Sequence, residues 1–267
     1  MKILMITGTH SRHLFVHEAV LETGFECAAI IMDREDLLPS TPSDISNRDK
    51  INFERHFRER YDIESTVYGK INPELLFDGI PTLRCIPESL NSEDSERFVK
   101  NFKPDLVFIL GPDLIKDPLL SVLPNDCVNM HLGLSPWYRG SATLFWPFYF
   151  LQPQFAGVTF HQITREADAG RVLHQCVPDL LPEDGIHDVG AKAVVKAKSE
   201  LKKLLAAYTE RKKWNYKDQL SSGKLFLTRD FEPAHLRVIY DSFDNNIVEA
   251  FLNGELGNRK PKLVSFF

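Results

Sequence analysis

Asn129 and His131 stand two residues apart at the end of an apolar run, Cys127-Val-Asn-Met-His131, and a loop through Gly133, Pro136 and Gly140 follows at once. In an extended chain, residues i and i+2 share a face, so an amide and an imidazole would project together from a strand end. That pair suits acyl transfer. The amide can donate to an oxygen that becomes negative, and the imidazole can take up a proton. A third group, the carboxyl of Asp168 in Asp168-Ala-Gly170, follows 37 residues after His131. Each group also has a plainer reading: a polar pair capping a strand, and an aspartate in a turn.

Open α/β sheets bind ligands beyond the carboxyl ends of their strands, so the surrounding elements decide whether the three groups meet. Lys2–Thr7 is apolar, Gly8 turns the chain, Ser11–Leu21 has helical periodicity, and Cys27–Met32 is apolar again. This βαβ opening predicts a mostly parallel, Rossmann-like α/β sheet flanked by helices. Pro104–Leu110 is the strongest strand signal, ending in Gly111-Pro112-Asp113 at the same edge as Asn129 and His131. A further strand is expected at Thr82–Ile86, and a helix with an acidic first turn from Ser92 to Phe102. Leu119–Leu123 reads as a short helix. Gly157–Ile163 and Arg171–Val177 read as an antiparallel pair around the loop that carries Asp168. Ser141–Phe150 reads as an aromatic helix. Asp184–Glu210 reads as a long helix whose Lys196, Lys198, Lys202 and Lys203 are simply solvated. Between about 33 and 80 the chain is charged, and an exposed helix over Phe53–Tyr61 is expected in an insertion or lid. Residues 1–210 are read as the catalytic domain and 211–267 as a small α+β appendage without a large core of its own.

Composition narrows the function. The chain has 267 residues, net charge −5 and no basic tail, which argues against a broad nucleic-acid surface. Four isolated cysteines indicate neither a disulfide framework nor a metal knuckle and fit a reducing, cytoplasmic setting. The N-terminus lacks a signal-type apolar stretch, and no run reaches membrane-spanning length. The turn Thr7-Gly-Thr-His-Ser-Arg12 lacks G-x-G-x-x-G, which argues against a nicotinamide dinucleotide. His10, His13 and His17 lack an acidic shell in sequence, so a polar helix face or substrate-side loop is favoured over a metal site, and no metal is expected.

Asn129-x-His131, Leu134-Ser-Pro136, Tyr138-Arg-Gly140, Gly157-Val-Thr159 and Asp168-Ala-Gly170 together resemble the formyltransferase family that uses 10-formyltetrahydrofolate. The resemblance covers roughly residues 1–180, is strong from 104 to 175, and is poor over 33–80. It implies that folate lies against the loops after the 105–110 and 127–131 strands. Backbone groups near Leu110, Gly111, Leu114, Ile115 and the 164–168 loop would hold the pterin, beside Asn129 and Asp168. It also implies that Asn129, His131 and Asp168 are the catalytic three. His131 would accept the amine proton or, once protonated, stabilise the oxyanion. Ser135 and Thr159 would shape loops. His10, Trp137, Tyr138 and Arg139 are candidates for the substrate side, with Arg139 equally suited to a loop contact.

The transfer-RNA enzymes of this family carry a second, basic, barrel-like domain, whereas only 57 residues follow Glu210 here (267 − 210). The purine-pathway enzymes are shorter and lack this tail. The tail and the Gly133–Gly140 variant look more like the sugar N-formyltransferases, which modify the amine of a nucleotide-linked dideoxy amino sugar bound for surface polysaccharide and are commonly homodimers. Alternatives are another small amine such as hydroxyornithine, a formyltetrahydrofolate hydrolase, or a folate-binding protein with an inactive site.

Overall fold

The computed structural model describes residues 1–34, 39–211, 213–219 and 221–267. Apolar runs become β1 (Lys2–Gly8), β2 (Glu26–Met32) and β4 (Leu106–Leu110) because every residue within them except the leading Lys2 and Glu26 is buried between two helical layers. Along β1 the side chains alternate: Ile3 and Met5 enter a core shared with α1 (Ser11–Leu21), while Leu4 and Ile6 enter the core on the opposite face. With β3 (Thr82–Cys85), β5 (Cys127–His131), β7 (Val158–Gln162) and β8 (Val172–Cys176) these strands form one sheet of order β3-β2-β1-β4-β5-β7-β8.

Four pairings are parallel, from β3 to β5. Then the direction reverses. β5 pairs antiparallel with β7, and β7 antiparallel with β8. The β7–β8 hairpin was legible in sequence; its insertion antiparallel against β5 was not. The order also reverses between β1 and β4, and a crevice opens at such a point beyond the carboxyl ends of the strands.

Two helices complete the frame behind the cavity. α6 (Ile186–Arg211) packs Val194, Ala197, Leu201, Leu204 and Tyr208 into the same core as α1. α2 (Asn47–Tyr68) is capped by Ser46, whose side chain accepts from Asp49 N, and runs 22 residues. It is longer than the expected Phe53–Tyr61 segment and is not an exposed lid. Asp49, Asn52, Phe53, His56 and Tyr68 are buried on one stripe. The stripe is largely polar, so a search for apolar periodicity misses it. A short α3 (Pro73–Leu76) and α4 (Glu93–Phe102), the latter capped by Ser92, close the outer side. The aromatic segment expected as a helix over 141–150 is helical only at α5 (Trp146–Tyr149).

The tail after α6 does not stand apart. Phe226, Leu236, Ile239, Tyr240, Ile247 and Val248 share one hydrophobic cluster with Leu134, Tyr138, Phe145, Trp146 and Phe148 of the loops after β5. These tail residues come from β9 (Leu225–Phe226), which pairs parallel with β6 (Arg139–Gly140), from a helical turn at 238–242, and from α7 (Ile247–Leu252). Charge ties the tail to α2 as well: Arg237 binds Asp49 through two hydrogen bonds of 2.7 Å, and Asn52 donates to Asp241 at 3.0 Å. Along the outer edge of β8, Lys217 and Val172 exchange backbone hydrogen bonds of 2.7 and 2.8 Å, and Gln175 N donates to the carbonyl of Val264 at 2.8 Å. No helix among the described residues is long and apolar enough to cross a membrane.

Candidate active site

The antiparallel register of β5 and β7 sets Asn129 opposite His161 and His131 opposite Thr159. All four side chains therefore lie on one face of a two-stranded floor. Thr159 donates through its hydroxyl to the Gly133 carbonyl at 2.7 Å and accepts from Ser135 N at 3.0 Å, which pins the loop leaving β5. Ser135 in turn donates from its hydroxyl to the Asp168 carbonyl at 3.4 Å. Both residues hold loops.

Asp168 completes the site from the β7–β8 loop. Its Oδ2 lies 3.3 Å from His131 Nδ1 and accepts from Gly140 N at 2.8 Å, and its Oδ1 lies 3.3 Å from His161 Nε2. The carboxyl is largely buried, which works against its charge. Positive charge arriving on His131 or His161, with the Gly140 N–H, outweighs that burial and lowers the Asp168 pKa.

The partners fix the tautomers, since carbonyls only accept. The contact of 2.9 Å between His131 Nε2 and the Tyr138 carbonyl puts a proton on Nε2. His131 Nδ1 is then left facing the carboxylate. Burial lowers the His131 pKa, opposed by Asp168 and reinforced by the nearby His161 and Arg139, so the ring is neutral at neutral pH. His161 Nδ1 donates to the Gln162 carbonyl at 2.9 Å, so its Nε2 accepts from Asn129 Nδ2 at 3.0 Å. One amide hydrogen of Asn129 remains for an oxygen in the cavity. The arrangement is a neutral base with an anion already placed to stabilise its protonated form, beside a free N–H donor.

The cavity above this floor has a volume of about 810 Å³ and is lined by Asn129, His131, His161 and Asp168. Leu110, Gly111, Leu114 and Ile115 line it too. Gly111 adopts φ +85°, and a side chain there would run into the His13 ring, so bare backbone faces the cavity beside apolar Leu110 and Ile115. The opposite wall comes from α2 (His56, Phe57, Arg60), α6 (Ile186, His187, Ala191) and the tail (Leu225, Phe231). Sequence reasoning missed this wall and His161. For His161 a signal existed: Gly157-Val-Thr-Phe-His sets Thr159 and His161 on one strand face, as it does Asn129 and His131.

The four substrate-side candidates sit elsewhere. His10 caps α1, accepting from Arg12 N at 3.5 Å, and its ring lies 3.6 Å from Glu64. Trp137 packs edge-on against Phe155, and Tyr138 stacks on Phe226 within the tail cluster. Arg139 is buried and donates to the carbonyls of Ala167 and Ser222, a loop contact. None of the four lines the cavity; of the three N-terminal histidines, His13 does. Among the described residues no group of three or more His, Cys, Asp or Glu could hold a metal ion.

Gly140 allows the strand crossing next to Asp168. It adopts φ +89°, and a Cβ there would collide with the Phe226 carbonyl. Gly140→Ala is expected to lower stability by about 1–3 kcal/mol from the left-handed backbone alone, measured as a drop in the denaturant midpoint.

The sequence model described as "Formyl transferase" matches residues 45–205, a span that includes α2 and starts later than the resemblance read from motifs. Solved structures share the fold at low identity. A sugar N-formyltransferase from a Shewanella species is 16% identical, with 90% of this chain and 87% of that chain covered and a TM-score of 0.57. A phosphoribosylglycinamide formyltransferase from Anaplasma phagocytophilum is 16% identical over 85% and 96%, with a TM-score of 0.56. A formyltransferase from Anoxybacillus kamchatkensis, in complex with UDP-4,6-dideoxy-4-formamido-L-AltNAc and tetrahydrofolate, is 14% identical over 93% and 97%, with a TM-score of 0.51. The amide, imidazole and carboxylate at the switch in strand direction, together with a match across more than half its length, show that this chain belongs to the formyl transferase family and is a formyl-transferring enzyme.

Proposed function

We propose that this chain transfers a formyl group from 10-formyltetrahydrofolate to the primary amine of a nucleotide-linked dideoxy amino sugar. The observation that carries this reading is the meeting of Asn129, His131 and Asp168 on one wall of a cavity large enough for two substrates. The bare Gly111 backbone with Leu110, Leu114 and Ile115 suits the flat polar edge of a pterin, and the same cavity end holds Asn129 and Asp168. The other wall, with Phe57, Phe231, His56 and His187, suits a sugar ring, which offers C–H faces to aromatics and hydroxyls to imidazoles. The Anoxybacillus relative, bound to tetrahydrofolate and a 4-formamido nucleotide sugar, supports the pairing of substrates.

The formyl donor brings the electrophilic carbon. Asn129 uses its second amide hydrogen on the formyl oxygen as negative charge develops there; one such donor contributes about 2.7–4 kcal/mol to lowering a barrier. The amine attacks the formyl carbon and its proton passes to His131 Nδ1, where Asp168 Oδ2, 3.3 Å away, stabilises the imidazolium. The tetrahedral intermediate then collapses, the bond from the formyl carbon to N10 breaks, and His131 returns the proton to N10 of the departing tetrahydrofolate. His161 holds the Asn129 amide and shares the carboxylate. The catalytic unit is residues 1–210, and 211–267 completes its acceptor wall. A reduced-folate substrate suits the cytoplasm.

The test follows tetrahydrofolate release from 10-formyltetrahydrofolate against a panel of nucleotide-linked 3-amino and 4-amino dideoxy sugars. Release that depends on one such amine is expected. Release without any amine would mean a hydrolase and overturn the proposal. Folate binding with silence across the panel would replace the sugar with another amine.

A further inference from the structure

Beyond residue 205, where the family match ends, the chain turns back across the two loops that hold Asp168. Residues 217–219 and 221–226 are fastened there at several points. Lys217 pairs with Val172. Lys224 N donates to the Pro136 carbonyl at 3.2 Å, Arg139 N donates to the Lys224 carbonyl at 3.1 Å, and Ser141 N donates to the Phe226 carbonyl at 2.8 Å. Between these points Gln219 reaches into the Asp168 turn. Its Nε2 donates to the carbonyls of both Asp168 and Gly170, each at 2.8 Å.

That turn needs support. Asp168 adopts φ +51°, the left-handed region, and it is not a glycine. Such a conformation costs about 1–3 kcal/mol and persists where its surroundings over-determine it. Arg139 does so from one side, its Nε donating to the Ala167 carbonyl at 3.1 Å, and Ser135 does so from below. Gln219 closes the other side by clamping the carbonyls on either side of Ala169. With the backbone so held, the carboxylate falls onto Gly140 N, His131 and His161.

We propose that Gln219 is a positioning residue for Asp168, so that a strap outside the family-matched residues sets the carboxylate against the two imidazoles. The inference rests on the catalytic reading of Asp168 given above. Gln219 touches no reacting atom in this scheme. It acts through the backbone of the turn.

The test reads the imidazoles directly. Nitrogen-15 spectra of the histidine side chains would be recorded against pH for the wild-type chain, Gln219→Ala and Gln219→Met, with exposed Lys213→Ala as control. Met keeps the approximate size of Gln219, removes its donors and adds no charge. The groups facing His131 are Asp168, His161 and Arg139. Loss of the carboxylate from its place is therefore expected to move the His131 midpoint down by about half a unit to one unit in both Gln219 variants, leaving remote His174 unmoved. Amine-dependent formyl transfer should fall about 10-fold in kcat, within the range of a misplaced acid–base partner, with the KM for the formyl donor little changed. A His131 midpoint unmoved in both variants would overturn the inference. If Gln219→Ala fails to fold, the larger, uncharged Gln219→Met carries the test. The titration uses no substrate, so a failure of the proposed reaction leaves its outcome readable, and an unmoved midpoint with intact transfer would sink the strap alone.

Discussion

Asp168→Asn is expected to reduce formyl transfer by about 10⁴-fold while leaving the fold intact, the loss seen when an aspartate that orients a catalytic imidazole becomes an amide. The side chain sits between two rings and accepts from the Gly140 backbone. An amide is close in size and can still accept from Gly140. It cannot offer a negative charge to His131 when the amine proton arrives, so burial, with His161 and Arg139 acting in the same direction, dominates that ring and its protonated form loses its stabilising partner. Single-turnover rates on saturated enzyme, with folate binding measured separately, check this. A loss confined to folate affinity, with the rate on bound substrate preserved, would show that Asp168 acts only as a turn residue.

The second large effect is on stability. His17 is fully buried, and neither ring nitrogen has a partner among the described residues. Burial lowers its pKa to about 3. His187, beside the cavity, is also lowered to about 3 by burial and by the nearby Arg60 and Arg12. In the unfolded chain both titrate near 6.5, so from pH 6.5 down to about 3 the unfolded state binds more protons and stability falls as pH falls. By pH 5 each group costs about 2 kcal/mol relative to neutral pH. Asp168 contributes with the same sign but only below the unfolded carboxylate range, outside this window. Urea unfolding at pH 7.5 and pH 5.0 should therefore show a loss of at least roughly 4 kcal/mol, since His10, His13, His56, His131 and His174 are lowered as well and add with the same sign. His17→Leu should shrink that pH difference by about 2 kcal/mol; an undiminished difference would rule out the assignment for His17.

Much of the floor of the candidate site was legible in sequence because a strand has period two. Asn129 and His131 could be set on one face without knowing the fold, and Asp168 lay in a turn-forming tripeptide. The spacing of Thr159 and His161 marks a strand face, but the relation of His161 to Asn129 was not legible, because it exists only across an antiparallel pair whose register the sequence does not announce. The acceptor-side wall was hidden for another reason. α2 buries Asp49, Asn52 and His56 instead of an apolar stripe, so it reads as solvated. Its burial becomes intelligible only once Arg237, Asp241 and Tyr240 are set against it. The tail read as an accessory because its apolar residues are too few for a core; they finish one begun by Leu134, Phe145 and Trp146. His10, Tyr138 and Arg139 are polar or amphipathic residues near the right loops, and their side chains are used up locally by capping and packing.

The hydrogen bonds along the outer side of β8 bear on how the molecule behaves at high concentration. A seven-stranded sheet has two rims, and an unguarded rim is a template for another chain's strand, the starting point of aggregation. Here Lys217 and Val264 occupy main-chain groups of Val172 and Gln175. At the opposite rim β3 is only four residues long and carries exposed Arg84, paired with Asp33 and Glu74. Short length and a charged side chain discourage docking there. The same chain segment that lies over the Asp168 turn thus also shields the sheet from growing beyond a single molecule.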